Sequence, residues 1–279
     1  MNSAFIIDYV RDGYLVKIRD KFMRERLFEL LKIEKGITAI IGAGGKTTLM
    51  LALAKELAEI GKVIVSTSTK IFEPEVCNTF LNPSAKEITE TLSREKIICV
   101  GSRVEIENSA KLSTVLVATE NFTKPSKVSA AAESSAEGKK ISAPSLSVVE
   151  RRKLADDVLV EADGSRQLPT KAHANYEPVI PEGTTQKIYV IGIDGVGKKI
   201  SRACHRPELF CKLTGCELED LLTPDLIAET IKKENLADRF FINKINAFEE
   251  WQLAEDLAIK LGKPTIAGNL WKEEYKCLL

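Results

Sequence analysis

Apolar positions along the chain fall into short continuous runs separated by stripes at helical spacing, and residues 38–50 show the alternation most plainly. Ala39, Ile40 and Ile41 make a run short enough for a buried strand; Gly42, Gly44 and Gly45 free the backbone behind it, and Lys46-Thr47-Thr48 open an amphipathic helix. That helix carries Leu49, Leu53, Leu57 and Ile60 and stops at Gly61. Residues 62–66 predict the next strand, which runs into the hydroxyl-rich turn Thr67-Ser68-Thr69-Lys70. A capping box, Ser84 to Glu87, starts a helix through Ile88 and Leu92 that leads into a strand at 97–100. Further strands are predicted at 158–160, 187–194, 239–242 and 265–267. Between the later ones, Thr223-Pro224 starts a helix, and Phe248, Trp251, Ala254, Leu257 and Leu261 form another that ends at Gly262.

This alternation predicts an α/β fold: a mostly parallel sheet with helices on both faces, a Rossmann-like three-layer arrangement of the P-loop NTPase type. Residues 1–36, with a short strand near 14–18 and a helical stripe at Phe22, Leu27, Leu30 and Leu31, read as an extension packed on a main domain of residues 37–279. Residues 119–147 turn to Ser, Ala, Lys and Glu, with Pro125 and Pro144, and read as a polar surface insertion or mobile loop.

The stretch Gly42-Ala43-Gly44-Gly45-Lys46-Thr47-Thr48 has the makings of a phosphate cradle. Glycines let successive N–H groups face an anion, a helix N-terminus adds its positive end, and Lys46 supplies a mobile charge. Thr47 sits where a hydroxyl would hold Mg²⁺. Ile40 occupies the first glycine of the usual G-x-x-x-x-G-K-[ST] pattern, so the loop resembles the compact G-T-x-G-K-[ST] of the Mur ligases. The strand at 158–160 delivers Glu161 and Asp163, on one strand face, where a carboxylate would hold the Mg²⁺ shell and orient water; either could reach the metal. Thr67 to Thr69 are expected at the same sheet edge, either near the nucleotide or capping their own turn.

Asn243-Lys244-Ile245-Asn246 follows a late strand and resembles the N-K-x-D guanine motif of GTPases. Asn246 replaces the carboxylate that accepts two hydrogen bonds from guanine, which weakens the expectation of GTP over ATP. His173, between Pro169 and Pro178 with Lys171 and Glu177, is expected as a surface hydrogen-bonder in preference to an acid–base catalyst. Asp194 to Lys199 mimics a second phosphate loop but lacks the hydroxyl residue after the lysine. Cys204, Cys211 and Cys216 have spacings that fit no zinc knuckle; Cys204 and Cys211, seven apart, would share a face if both lay on one helix.

The chain of 279 residues balances 40 Lys and Arg against 40 Asp and Glu, so no net field favours nucleic acid or an anionic membrane. No apolar run is long enough to cross a bilayer, and residues 1–13 do not read as a signal peptide. A cytoplasmic location with reduced thiols is expected.

Taken in order, G-A-G-G-K-T-T-L at 42, the Ser/Thr turn at 66, V-L-V-E-A-D-G-S at 158, E-P-V-I-P at 177, H-R-P-E at 205 and N-K at 243 resemble the YqeC family of selenium-dependent hydroxylase accessory proteins, also called selenium cofactor biosynthesis proteins. The likeness covers about residues 34–268. More distantly, Glu161 with Asn243-Lys244 is similar to the nickel-inserting accessory GTPases. The resemblance implies a P-loop NTPase that helps mature selenium-dependent molybdenum hydroxylases; the residues alone point to a Mg²⁺-nucleotide binder with slow hydrolysis. ATP or GTP is the expected nucleotide, and a hydroxylase or its cofactor machinery the expected partner. Lys46, Glu161 and Asp163 would then be catalytic, Thr47, Glu161 and Asp163 metal-binding, and residues 42–48 with Asn243 and Lys244 nucleotide-binding. A kinase or ligase acting on a small acceptor, and a nucleotide-switched binding module without catalysis, are the alternatives.

Overall fold

A computed structural model describes residues 8–11, 14–17, 25–104 and 139–279. In chain order its elements begin with β1 (Asp8–Arg11), β2 (Tyr14–Lys17), α1 (Leu27–Leu30), β3 (Ile37–Gly42), α2 (Lys46–Leu57), β4 (Val63–Thr67), β5 (Lys70–Phe72) and β6 (Thr79–Leu81). They continue with α3 (Ala85–Leu92), β7 (Ile97–Arg103), β8 (Lys140–Ser142), α4 (Val148–Arg152), β9 (Asp157–Glu161), β10 (Thr170–Lys171) and β11 (Gln186–Gly192). After a 3₁₀ turn at Ile193–Gly195 come α5 (Ile200–Ala203), β12 (Cys204–His205), α6 (Pro207–Thr214), α7 (Pro224–Glu234), β13 (Arg239–Asn243), α8 (Phe248–Leu261), β14 (Thr265–Asn269) and β15 (Glu274–Cys277).

Among the described residues, eleven strands make one sheet in the order β15-β14-β13-β11-β3-β9-β4-β7-β8-β5, with β6 beside β7. Its centre, from β14 through β7, is parallel, and the antiparallel pairings lie toward the two ends. Strand β3 lies between β11 and β9, so the helix after it crosses over β9 to reach β4.

Strand alternation sorts the core into two faces. Ile40, Ile188, Val190 and Phe241 pack with Leu49, Met50 and Leu53 of α2 and with Leu27 and Leu31. Ala39, Ile41, Tyr189, Ile191, Phe240 and Ile242 face the other way, onto Phe210 of α6, Ile227 and Ile231 of α7, and Leu257 and Leu261 of α8. Both faces are covered, so strand residues on either side are apolar, as the runs in the sequence require.

Two elements depart from the sequence expectation. Most of residues 119–147 lies outside the described residues, but its end contains β8, whose Ile141 is buried and which pairs with β5 and β7. The chain also continues past β14 into β15, an antiparallel edge strand in a polar segment. No helix among the described residues is long and apolar enough to cross a membrane.

Candidate functional site

The carboxyl ends of the central parallel strands bring the candidate residues to one edge. Ile40 pairs with Glu161, Thr67 with Glu161, Gly42 with Val190, and Gly192 with Asn243. Between β3 and α2 the backbone turns through positive φ at Gly42 (91°), Gly44 (80°) and Gly45 (125°). At Gly44 a side chain is excluded twice over, because a Cβ would also strike the backbone of Gly192.

The first N–H groups of this turn are committed to the protein. Gly42 donates to Asp163 Oδ2 at 2.9 Å, Ala43 to the Val190 carbonyl at 2.9 Å and Gly44 to the Leu168 carbonyl at 3.1 Å. Gly45, which caps α2, offers no side chain, so the first-turn N–H groups of that helix have no capping acceptor. Of the cradle read at residues 42–48, the backbone N–H groups from Gly45 to Thr48 are thus the ones left for an anion.

Lys46 is buried. Its Nζ donates to the Gly42 carbonyl at 2.8 Å and to Ser165 Oγ at 3.1 Å, and lies 3.3 Å from Asp163 Oδ1 and 3.7 Å from Glu161 Oε1. Thr47 Oγ1 donates to Glu161 Oε2 at 2.6 Å. Burial pushes the Glu161 carboxyl up from its ordinary value, against the opposing pull of Lys46 and the Thr47 hydrogen bond. Burial acts on Asp163 in the same sense, but Lys46, the His173 hydrogen bond and Lys171 outweigh it and hold that group down at about 2. Asp163 Oδ1, though buried, accepts no hydrogen bond.

Asp163 is also the hub of a buried charge network. Lys171 Nζ lies 3.2 Å from its Oδ2 and donates to the Gly164 carbonyl at 2.7 Å and to Glu177 Oε2 at 3.0 Å. Arg206 Nη2 reaches Glu177 Oε1 at 3.0 Å. His173, expected at the surface, is instead buried between two acids: Nε2 meets Asp163 Oδ2 at 2.7 Å and Nδ1 meets Glu234 Oε2 at 2.8 Å. The His173 backbone N–H donates to Glu234 Oε1 at 2.6 Å. Burial alone would lower the pKa of His173; the two carboxylate hydrogen bonds reverse that and raise it. An acid on each nitrogen favours the doubly protonated imidazole.

Thr67 caps its own turn, donating to the Glu161 carbonyl at 3.0 Å and accepting from Thr69 N–H at 2.9 Å. Asn243 is buried: Nδ2 donates to the Gly44 carbonyl at 2.9 Å and Oδ1 accepts from Leu270 N–H at 3.3 Å. Lys244 pairs with Asp194 at 3.1 Å. Asn246 is exposed; it donates to the Lys244 carbonyl and accepts from Asn269 Nδ2, both at 2.9 Å. Cys204 lies on β12 and Cys211 on α6, so no helix face is shared; Cys211 has Cys216 Sγ at 3.4 Å instead. Among the described residues no group of three or more His, Cys, Asp or Glu is placed to hold a metal.

Ser165 and Arg206 lie inside the sequence motifs at 158 and 205 but have no role assigned there, and Glu234 is not singled out. Glu234 carried a signal: a carboxylate in the last turn of α7 opposes the helix dipole and calls for a cationic partner.

A family model described as YqeC protein matches residues 38–208, a span that holds the glycine turn, Glu161, Asp163, Lys171, His173 and Arg206. The uncharacterized protein YqeC of Escherichia coli (strain K12) is 28% identical over 191 residues. That match covers 68% of this chain and 62% of the relative's length. No solved structure matches the chain. With more than half its length matched by the family model, the chain belongs to the YqeC protein family.

Proposed function

We propose that this protein is a P-loop NTPase, binding a Mg²⁺–nucleoside triphosphate on the turn at residues 42–48, hydrolysing it slowly, and serving in the cytoplasm as an accessory factor for selenium-dependent molybdenum hydroxylases. The observation that carries the reading is the 2.6 Å contact between Thr47 Oγ1 and Glu161 Oε2 beside the buried Lys46 Nζ. A hydroxyl at the first turn of a helix, a carboxylate at the end of the neighbouring strand and a lysine between them are the parts a phosphoryl-transfer site requires. Family membership supports the accessory role, and the balanced charge of the chain supports a partner other than nucleic acid.

The donor set suits Mg²⁺: a hydroxyl and carboxylates, hard oxygen ligands, with Asp163 Oδ1 a buried acceptor lacking a hydrogen bond. Thr47 and Glu161, with Asp163 alongside, would hold the ion, which when bound supplies charge neutralisation for the phosphates. The protein's own groups do the rest. The N-terminus of α2 and Lys46 bind and orient the phosphate oxygens. Asp163, held at about 2, is too weak a base to remove a proton from water near neutral pH and acts by orienting Lys46 and a water molecule.

Calorimetry with Mg²⁺ and ATP, GTP or XTP tests the reading. Lys46→Ala is expected to abolish binding of all three, and undiminished binding would remove the turn from consideration. Turnover that rises strongly with a small acceptor would favour a kinase or ligase instead.

A further inference from the structure

A cavity of about 660 Å³ runs along α2, from Thr47 and Thr48 at its amino end past Leu51 to Glu56 near its other end and Glu59 just beyond, with Leu270 and Trp271 also in its wall. Trp271 stands 84% exposed at its rim. A large aromatic exposed beside a concave site is available to stack on a ligand. Its place is fixed from behind: Asn269 Oδ1 accepts from the N–H groups of Trp271 at 3.0 Å and Lys272 at 3.2 Å. Leu270, one residue earlier, donates to Asn243, whose amide also holds the Gly44 carbonyl. The indole is therefore carried on a turn fastened to the glycine turn.

On the other flank of the glycine turn the space is filled by Asp163, Lys171 and His173, all buried. A triphosphate seated on the first turn of α2 finds room for its nucleoside on the Trp271 side. The residues expected to read a base edge are otherwise engaged, Asn243 by Gly44 and Leu270, Lys244 by Asp194, and Asn246 by Lys244 and Asn269.

We infer that Trp271 is the stacking platform for the base of the nucleotide, and that the site accepts purine nucleotides with little regard to their hydrogen-bonding edge. The inference rests on the phosphate reading above. Stacking on an indole is available to every base, because each has a π-face.

The chain has two tryptophans, Trp251 and Trp271, so a Trp251→Phe background leaves Trp271 as the only indole reporter. In that background ATP and GTP with Mg²⁺ are expected to change the Trp271 emission, whereas inorganic tripolyphosphate binds without doing so. By calorimetry Trp271→Ala is expected to weaken ATP and GTP alike, by about 5- to 150-fold, and to leave tripolyphosphate affinity unchanged; Trp271→Phe restores most of the loss. Unchanged nucleotide affinity in Trp271→Ala, with binding still lost in Lys46→Ala, would overturn the stacking role and leave the phosphate site standing. A strong preference between ATP and GTP that survives Trp271→Ala would likewise place base recognition elsewhere. If neither nucleotide nor tripolyphosphate binds the unaltered protein, the phosphate reading fails and takes the stacking role with it.

Discussion

Asn243 donates its side-chain amide to the carbonyl of Gly44 at 2.9 Å, joining positions 199 residues apart, and the same amide accepts from Leu270. One buried side chain thus satisfies two backbone groups in two turns. Asn243→Ala leaves both without a partner, and the expected loss is roughly 2–4 kcal/mol in chemical denaturation. A loss within about 0.5 kcal/mol, the range of a neutral surface change, would show that the amide does not hold the turns.

Lys171 is fully buried against Asp163 and Glu177. Lys171→Met keeps the volume and removes the charge, leaving two acids with weakened compensation. Removing one partner of a buried ionic network costs about 3–5 kcal/mol, so the variant is expected to melt well below the parent in a thermal scan.

The chain has only two histidines, and they are expected to titrate on opposite sides of 6.5 in the metal-free protein. His205 is lowered to about 4 by burial and by Lys171, Arg206 and Arg166, while His173 is raised by its two acids despite burial. The stability contributed by His173 is fully present below 6.5 and is lost as pH rises through its raised folded value. That contributed by keeping His205 neutral is present above 6.5 and is lost as pH falls toward about 4. Imidazole NMR resonances followed against pH check both; a single shared midpoint would contradict the burial of His173 between acids.

Gly44 and Gly197 share φ of 80°, but a Cβ on Gly44 meets the Gly192 backbone whereas one on Gly197 meets nothing within 4 Å. Gly197→Ala should cost only the left-handed penalty, about 1–2 kcal/mol. Gly44→Ala should cost several times that, since backbone must move. Equal midpoints for the two variants in urea would mean the turn is looser than its hydrogen bonds imply.

The glycine turn, Lys46-Thr47 and the acids at the end of β9 were legible because strand, turn and helix follow one another locally. That Thr47 meets Glu161 depends on β3 pairing with β9, a nonlocal choice that no periodicity encodes. His173 was misplaced for a related reason: a polar segment flanked by prolines looks like a surface loop, and only partners 10 and 61 residues away make its burial tolerable. Strand β8 has a single buried apolar residue, Ile141, to announce it, too little signal against a polar background.

The glycine turn is clamped by Val190, Leu168, Asp163 and Asn243, and so is a poor candidate for movement. The chain Asp163, His173, Glu234 runs the other way, from the turn to the last residue of α7, a helix that packs on the face of the sheet opposite α2. Glu234, which would otherwise oppose the dipole of α7, is thereby held in the same hydrogen-bonded chain as Asp163. The imidazole thus ties the glycine turn, through Asp163, to the end of a helix on the far side of the sheet.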